Sequence, residues 1–389
     1  MQRRLHDRLP LESELSMNVL KSTSVSAAAL LSCVLLSAPP AFAQSAFPPA
    51  EVPSAQSDSG TMKRADQDMA RVLKKLMDLG AKPIGTMSVE ETRNQPQPAD
   101  AVKAVMKDDG KDPMTVMTAM KVDKKDMTYP VFGGETQPIR IYTPEGRSSS
   151  PRPVIVYYHG GGFVIATIDT YEASAMALAH KTGAIVVSAE YRHAPENKAP
   201  AAHEDAMAAY KWVLTNAPSF GGDATRIAVA GESAGGNLAA NVAITARDEL
   251  IQEPAHMLLV YPVAGTNLQT PSYKENANAM PLSLLALEWF YKNSIKSEQD
   301  LQSPMLDLVG RANLKGLPPA TIINAEIDPL ESEGRQLATK LREAGVKVTH
   351  EVYKGVTHEF FGMAPLIADA EKAQDLAARE LKAAFQHTR

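Results

Sequence analysis

Cysteine is almost absent: the 389 residues include one, Cys33. It lies in a small, apolar stretch, residues 24–37, that follows Lys21 and precedes Ala41-Phe42-Ala43, a match to the small-x-small rule for signal peptidase. The stretch breaks at Pro39-Pro40 and falls short of the roughly 20 apolar residues that cross a bilayer. Residues 1–43 therefore read as an export signal rather than a membrane anchor, with the product periplasmic or secreted. Cleavage before Gln44 leaves no cysteine, which excludes both disulfides and a cysteine nucleophile. Lipid attachment at Cys33, after Leu30-Leu31-Ser32, is a minor alternative. Arg3-Arg4 is separated from the apolar run by Asp7, Glu12 and Glu14, which weakens a twin-arginine reading, and Met17 is an alternative start.

Concentrated positive charge is also missing. The formal net charge is -5, and there is no Lys/Arg-rich block and no basic run interleaved with aromatics, which are 6% of the chain. This argues against nucleic acid as a partner. There is no internal repeat. A hydrophobic fraction of 44% with 22% charged residues is ordinary for a soluble globular chain, long enough for one large α/β domain with additions or two smaller ones.

What is present alternates. Residues 44–61, rich in Pro, Ser, Ala and Gln, read as a flexible leader. Met62, Ala65, Met69, Val72, Leu73, Leu76 and Met77 recur at helical spacing, with Gly80 where a C-terminal cap belongs. Ser88 and Glu91 have capping-box spacing for a short second helix. The region of Met106, Met114, Met117, Met120 and Met127 gives no clear element. Its methionines point to gap-filling packing, with a flexible wall for an apolar ligand as the second reading. Two strands flank Gly133-Gly134 within residues 127–144. Strands then read at 153–158, 184–189, 227–230, 257–263, 320–325 and along 346–352. Helices read at 170–182, 202–215, from 238, 282–293, 331–344 and 369–386. Such alternation predicts a largely parallel sheet covered on both faces.

Chemistry concentrates at the ends of strands. Gly231-Glu232-Ser233-Ala234-Gly235 joins an apolar strand to a helix and matches the G-x-S-x-G nucleophile elbow. The glycines are needed because the serine sits on a strained turn whose flanking positions leave no room for side chains. The strand at 153–158 runs into His159-Gly160-Gly161-Gly162, a glycine run whose successive backbone NH groups suit an anion. Neither a GK[ST] ending nor G-x-G-x-x-G spacing accompanies it, so an oxyanion hole fits better than a phosphate cradle. A serine nucleophile needs a base, and the base an orienting carboxylate. Asp328, beyond the strand at 320–325, and His358, beyond the last strand, stand in the required chain order.

These motifs resemble the hormone-sensitive lipase family of esterases, also called bacterial family IV. Further matches are Asp328-Pro329-Leu330, Phe360 after His358, Gly316-Leu317-Pro318-Pro319, Ser303-Pro304, Tyr261-Pro262, and residues 191–196, where His193 stands in place of the family's Leu. The similarity runs from about residue 62 to the end. It implies an α/β-hydrolase fold: a mostly parallel eight-stranded sheet with helices on both faces and a helical cap from about 62–120 and 265–300. It further implies Ser233 as nucleophile, His358 as base, Asp328 as its orienting partner, and the NH groups of Gly161, Gly162 and Ala234 as oxyanion hole. His159, Gly160, Gly231 and Gly235 support the two motifs. No metal or cofactor is implied, and the partner is a small ester, with the protein a monomer or homodimer. Glu232 and Glu359 depart from the family's commoner Asp or Thr and Gly, and a carboxylate beside each catalytic residue is expected to raise the histidine's pKa. A serine carboxylesterase for short- to medium-chain acyl esters leads. An amidase, formamidase or peptidase with the same triad is the alternative. A noncatalytic receptor of this fold is disfavoured because His358 is present, and an interfacial lipase because no broad apolar lid helix is evident.

Overall fold

The computed structural model describes residues 59–146 and 148–387; the export signal and most of the leader lie outside them. The chain enters as helices α1 (Ser59–Arg64), α2 (Gln67–Asp78), α3 (Val89–Asn94), α4 (Pro98–Asp108) and α5 (Pro113–Ala119), followed by the hairpin β1 (Val122–Pro130) and β2 (Thr136–Pro144). Strand–helix alternation follows: β3 (Arg152–Tyr158), α6 (Glu172–Thr182), β4 (Ile185–Ala189), α7 (Ala201–Asn216), β5 (Gly222–Glu232), α8 (Ala234–Asp248) and β6 (Met257–Val260). Then come α9 (Pro271–Glu275), α10 (Leu284–Ser294), α11 (Leu308–Arg311), β7 (Ala320–Ile327), α12 (Glu331–Glu343), β8 (Val348–Thr357) and α13 (Ala368–His387).

The strands form one eight-stranded sheet in the order β1-β2-β4-β3-β5-β6-β7-β8. The β1–β2 and β2–β4 pairings are antiparallel, and β4 to β8 run parallel. Alternate residues of the central strands feed opposite cores. Val154, Val156, Ile227 and Val229 pack with α7, α8 and α12, whereas Ile155, Tyr157, Ala228 and Ala230 pack with α2, α4, α6 and α13. Each fully buried aliphatic side chain contributes about 1.5–3 kcal/mol, so these two layers fix the strand ends that carry the site. At the edge, β1 presents exposed Asp123, Lys124, Lys125 and Asp126, which discourage further strand pairing. A third apolar layer, with Val164, Leu282, Leu287, Phe290 and Tyr291, lies over the loops.

Three sequence expectations change. The amphipathic stretch from Met62 is two helices: Asp66 is extended at φ -57°, ψ 156°, and its NH donates to the Gly355 carbonyl at 2.8 Å, so a contact with β8 breaks the helix. The leader ends earlier, since residues 59–61 are already helical. The unassigned methionine region holds α4 and α5, each started by a proline at its first turn. The Ser88–Glu91 capping box forms as read.

Candidate active site

Ser233 stands between β5 and α8 at φ 56°, ψ -119°, a conformation that costs a non-glycine residue of order 1–3 kcal/mol and persists only when its surroundings enforce it. They do so through the backbone. The Ser233 NH donates to Val260 O at 2.9 Å, and Val263 donates to the Ser233 carbonyl at 3.1 Å. The flanking glycines are required by space: a Cβ on Gly231 would lie 2.1 Å from Gly235 O, and one on Gly235 would lie 2.0 Å from Tyr158 O. α8 can therefore lie as close to β5 and to β3 as it does only without side chains at these positions.

The glycine run after β3 turns equally sharply. Gly161, Gly162 and Phe163 have φ of 97°, 58° and 64°, and a Cβ on Gly162 would lie 2.2 Å from the Phe290 ring. His159 is buried beneath the loop, with Nδ1 2.8 Å from Gly160 O and Nε2 2.7 Å from Glu190 Oε1. Tyr191 stacks on its ring at 4.4 Å and donates to the carbonyls of His159 and Gly160, both at 3.1 Å. His193 Nε2 approaches the same Glu190 oxygen at 3.1 Å. Among the described residues, His159, Glu190 and His193 are the one group with the spacing of metal ligands; the hydrogen bond of His159 and the ion-pair contact of His193 to Glu190 also fit a carboxylate clamp on the loop.

Asp328 follows β7 and is fully buried; its Oδ1 accepts from the Leu330 NH at 2.9 Å. Its Oδ2 lies 2.7 Å from Nδ1 of His358, which follows β8. The Tyr261 ring packs on His358 at 4.4 Å. Burial opposes a charged His358 ring, but Asp328, then Glu359 and Glu232, outweigh it and hold its pKa above the usual value. That agrees with the expectation for the two carboxylates. Burial pushes Glu232 up to about 7, reinforced by Glu359, although Tyr157 and Tyr261 both donate to it.

Ser233, His358, Glu232, Glu359, Gly161 and Gly162 line one cavity of about 520 Å³. Asp328 sits behind His358, and Ala234 opens α8 as its first residue. The outer wall comes from α4, α5 and α10, including Val102, Met106, Met117, Leu287 and Phe290. Met106 and Met117 thus serve the ligand-wall reading as well as packing. Sequence reasoning missed Tyr157, Tyr171 and Arg93 and read Tyr261 only as part of the Tyr261-Pro262 match. Arg93, on α3, donates to Val164 O, Ala194 O and Glu196, tying the N-terminal helices to the glycine loop. No local pattern marks it, because its partners lie 71 or more positions away.

Comparison with known proteins identifies the family. A family described as alpha/beta hydrolase fold matches residues 155–362. The carboxylesterase NlhH of Mycobacterium tuberculosis is 37% identical over 278 residues, covering 71% of this chain and 86% of the relative. An ethyl acetate hydrolase of Pseudomonas putida is 32% identical over 260 residues, covering 66% and 81%. The solved structure of a hyperthermophilic esterase from Pyrobaculum calidifontis superposes with a TM-score of 0.70 at 34% identity, covering 80% of this chain and 96% of that one. The chain belongs to the α/β-hydrolase fold, in the hormone-sensitive lipase (bacterial family IV) group, and is a carboxylic ester hydrolase.

Proposed function

We propose that the protein hydrolyses short- to medium-chain acyl esters through Ser233, His358 and Asp328. The observation that carries this is the His358 Nδ1 to Asp328 Oδ2 contact of 2.7 Å, with Ser233 on its strained elbow in the same cavity as the ring. Asp328 fixes the tautomer that leaves Nε2 to take the proton from Ser233 Oγ as that oxygen attacks the ester carbonyl. NH groups of Gly161, Gly162 and Ala234 receive the developing oxyanion, a role in which one lost donor costs about 3–4 kcal/mol. His358 returns its proton to the departing alcohol, and water activated by the same ring releases the acid from the acyl-enzyme. The size and apolar lining of the cavity suit a small acyl chain rather than a bulk lipid surface.

The test is hydrolysis of p-nitrophenyl esters from acetate to palmitate by wild type and Ser233→Ala. Rapid cleavage of the shorter chains, lost in the variant, is expected. Folded wild type that cleaves no ester in a Ser233-dependent way refutes the reading, and amides become the next substrates. We also propose that the protein is exported with Gln44 as its mature N-terminus; N-terminal sequencing of exported material tests this.

A further inference from the structure

Glu359 stands directly after His358 at φ 74°, left-handed backbone that a residue with a side chain adopts at a cost and glycine adopts freely. A glutamate kept in that conformation points to a task for its side chain. The carboxylate lines the cavity of Ser233 and His358, and its Oε1 lies 3.8 Å from His358 Nε2, the ring nitrogen opposite the one bound to Asp328. The same Oε1 accepts a hydrogen bond from Tyr171 at 2.6 Å. The Tyr171 hydroxyl in turn fills the space above Gly160, 2.2 Å from where a Cβ on that residue would stand. One carboxylate therefore meets the histidine on one side and, through one tyrosine, the glycine loop on the other.

We propose that Glu359 is a positioning residue for ester hydrolysis: it stabilises the imidazolium of His358 from the Nε2 side and, through Tyr171, holds the Gly160–Gly162 turn in register with Ser233. The inference rests on the catalytic reading above. Its geometry separates Glu359 from the other ionisable groups nearby. Asp328 occupies Nδ1, His159 is engaged with Glu190, and Glu232 is held by Tyr157 and Tyr261. Burial holds the Glu359 carboxyl above its ordinary range, while His358 and the Tyr171 bond draw it back down. Its negative charge raises the affinity of His358 for a proton, which favours proton uptake from Ser233 as the tetrahedral intermediate forms.

Three variants divide the two roles. Glu359→Gln keeps an acceptor for Tyr171 and removes the charge. Tyr171→Phe keeps the charge and removes the brace. Glu359→Gly removes both while relieving the backbone. NMR titration of His358 in a Ser233→Ala background reads the charge without turnover, and kcat and KM for p-nitrophenyl butyrate read the brace. Glu359→Gln is expected to lower the His358 titration midpoint by about one unit and to move the acidic limb of kcat/KM to lower pH. Tyr171→Phe is expected to leave that midpoint in place and lower kcat roughly tenfold with little change in KM. Glu359→Gly is expected to show both effects without a lower Tm, which distinguishes lost positioning from lost folding. An unmoved His358 midpoint in Glu359→Gln, or an unchanged kcat in Tyr171→Phe, in an enzyme with Ser233-dependent activity overturns the proposal. Absence of Ser233-dependent hydrolysis in wild type instead overturns the catalytic reading.

Discussion

The contact between Gly162 and Phe290 offers a quantitative check on how the helical layer meets the glycine loop. An alanine at position 162 places its methyl 2.2 Å from Phe290 Cδ1, 2.4 Å from Cγ and 2.7 Å from Cε1. The ring cannot simply withdraw, since Phe290 is 8% exposed and packed in the third apolar layer. Overpacking of this kind costs about 1–3 kcal/mol, and φ of 58° adds about 1–2 kcal/mol for any residue with a Cβ. Gly162→Ala is therefore expected to lose about 2–5 kcal/mol in urea unfolding, the two terms taken together, and most of its kcat. Phe290→Ala alone is expected to cost about 3 kcal/mol, the low end for a buried Phe, because one side of the ring faces the cavity. In the double variant the clash disappears while the backbone strain remains. The two changes should thus couple favourably by about 1–3 kcal/mol, outside the roughly 0.5 kcal/mol expected of independent sites. Additive losses within that margin refute the argument that Phe290 is seated on the glycine loop. The p-nitrophenyl ester series provides a second readout: with the ring gone, the preferred acyl chain is expected to lengthen.

Three further outcomes are expected. Asp328→Asn should keep the fold, because the amide oxygen still accepts from Leu330, yet lower kcat on the order of 10⁴-fold by presenting the wrong tautomer of His358; a loss under tenfold contradicts the assigned role. Arg93→Ala should lower stability by about 1–2 kcal/mol in urea unfolding by leaving the carbonyls of Val164 and Ala194 without this donor; an unchanged midpoint counts against the link between α3 and the loop. Burial holds the Glu333 carboxyl up at about 8, from 4.5, despite donors from Ala264 and Tyr273. The folded protein therefore keeps a proton that the unfolded chain releases, so this stabilisation is complete below pH 4.5 and is lost as pH rises through about 8. Glu333→Gln should flatten that decline in thermal unfolding between pH 5 and pH 9; a slope equal to wild type removes Glu333 as its source.

Much of the fold was legible because its signals are local. Apolar runs between turn formers located β3, β5 and β7, and their order with the intervening helices implied the parallel sheet. Boundaries moved where long-range contacts intervene. β5 extends to Gly222 beyond its apolar stretch because Arg152 pairs with Gly222, and the first helix breaks because Asp66 binds Gly355. α4 was missed although Ala101, Val102, Val105 and Met106 recur at helical spacing and are buried, whereas α5 buries none of its residues and so carries no such pattern.

The sequence by itself carried the elements of the proposed reaction. A serine between glycines, a histidine-led glycine run and an Asp and a His after successive strands are local patterns, written by backbone conformations that few residues tolerate. Tertiary structure alone decided what surrounds them. It brought Asp328 to His358 across 30 positions and Tyr171 to Glu359 across 188, set Phe290 on Gly162, and turned scattered methionines into a cavity wall. The physical reason is range: φ and ψ preferences act between neighbours in the chain, whereas burial, charge pairing and close packing act between neighbours in space.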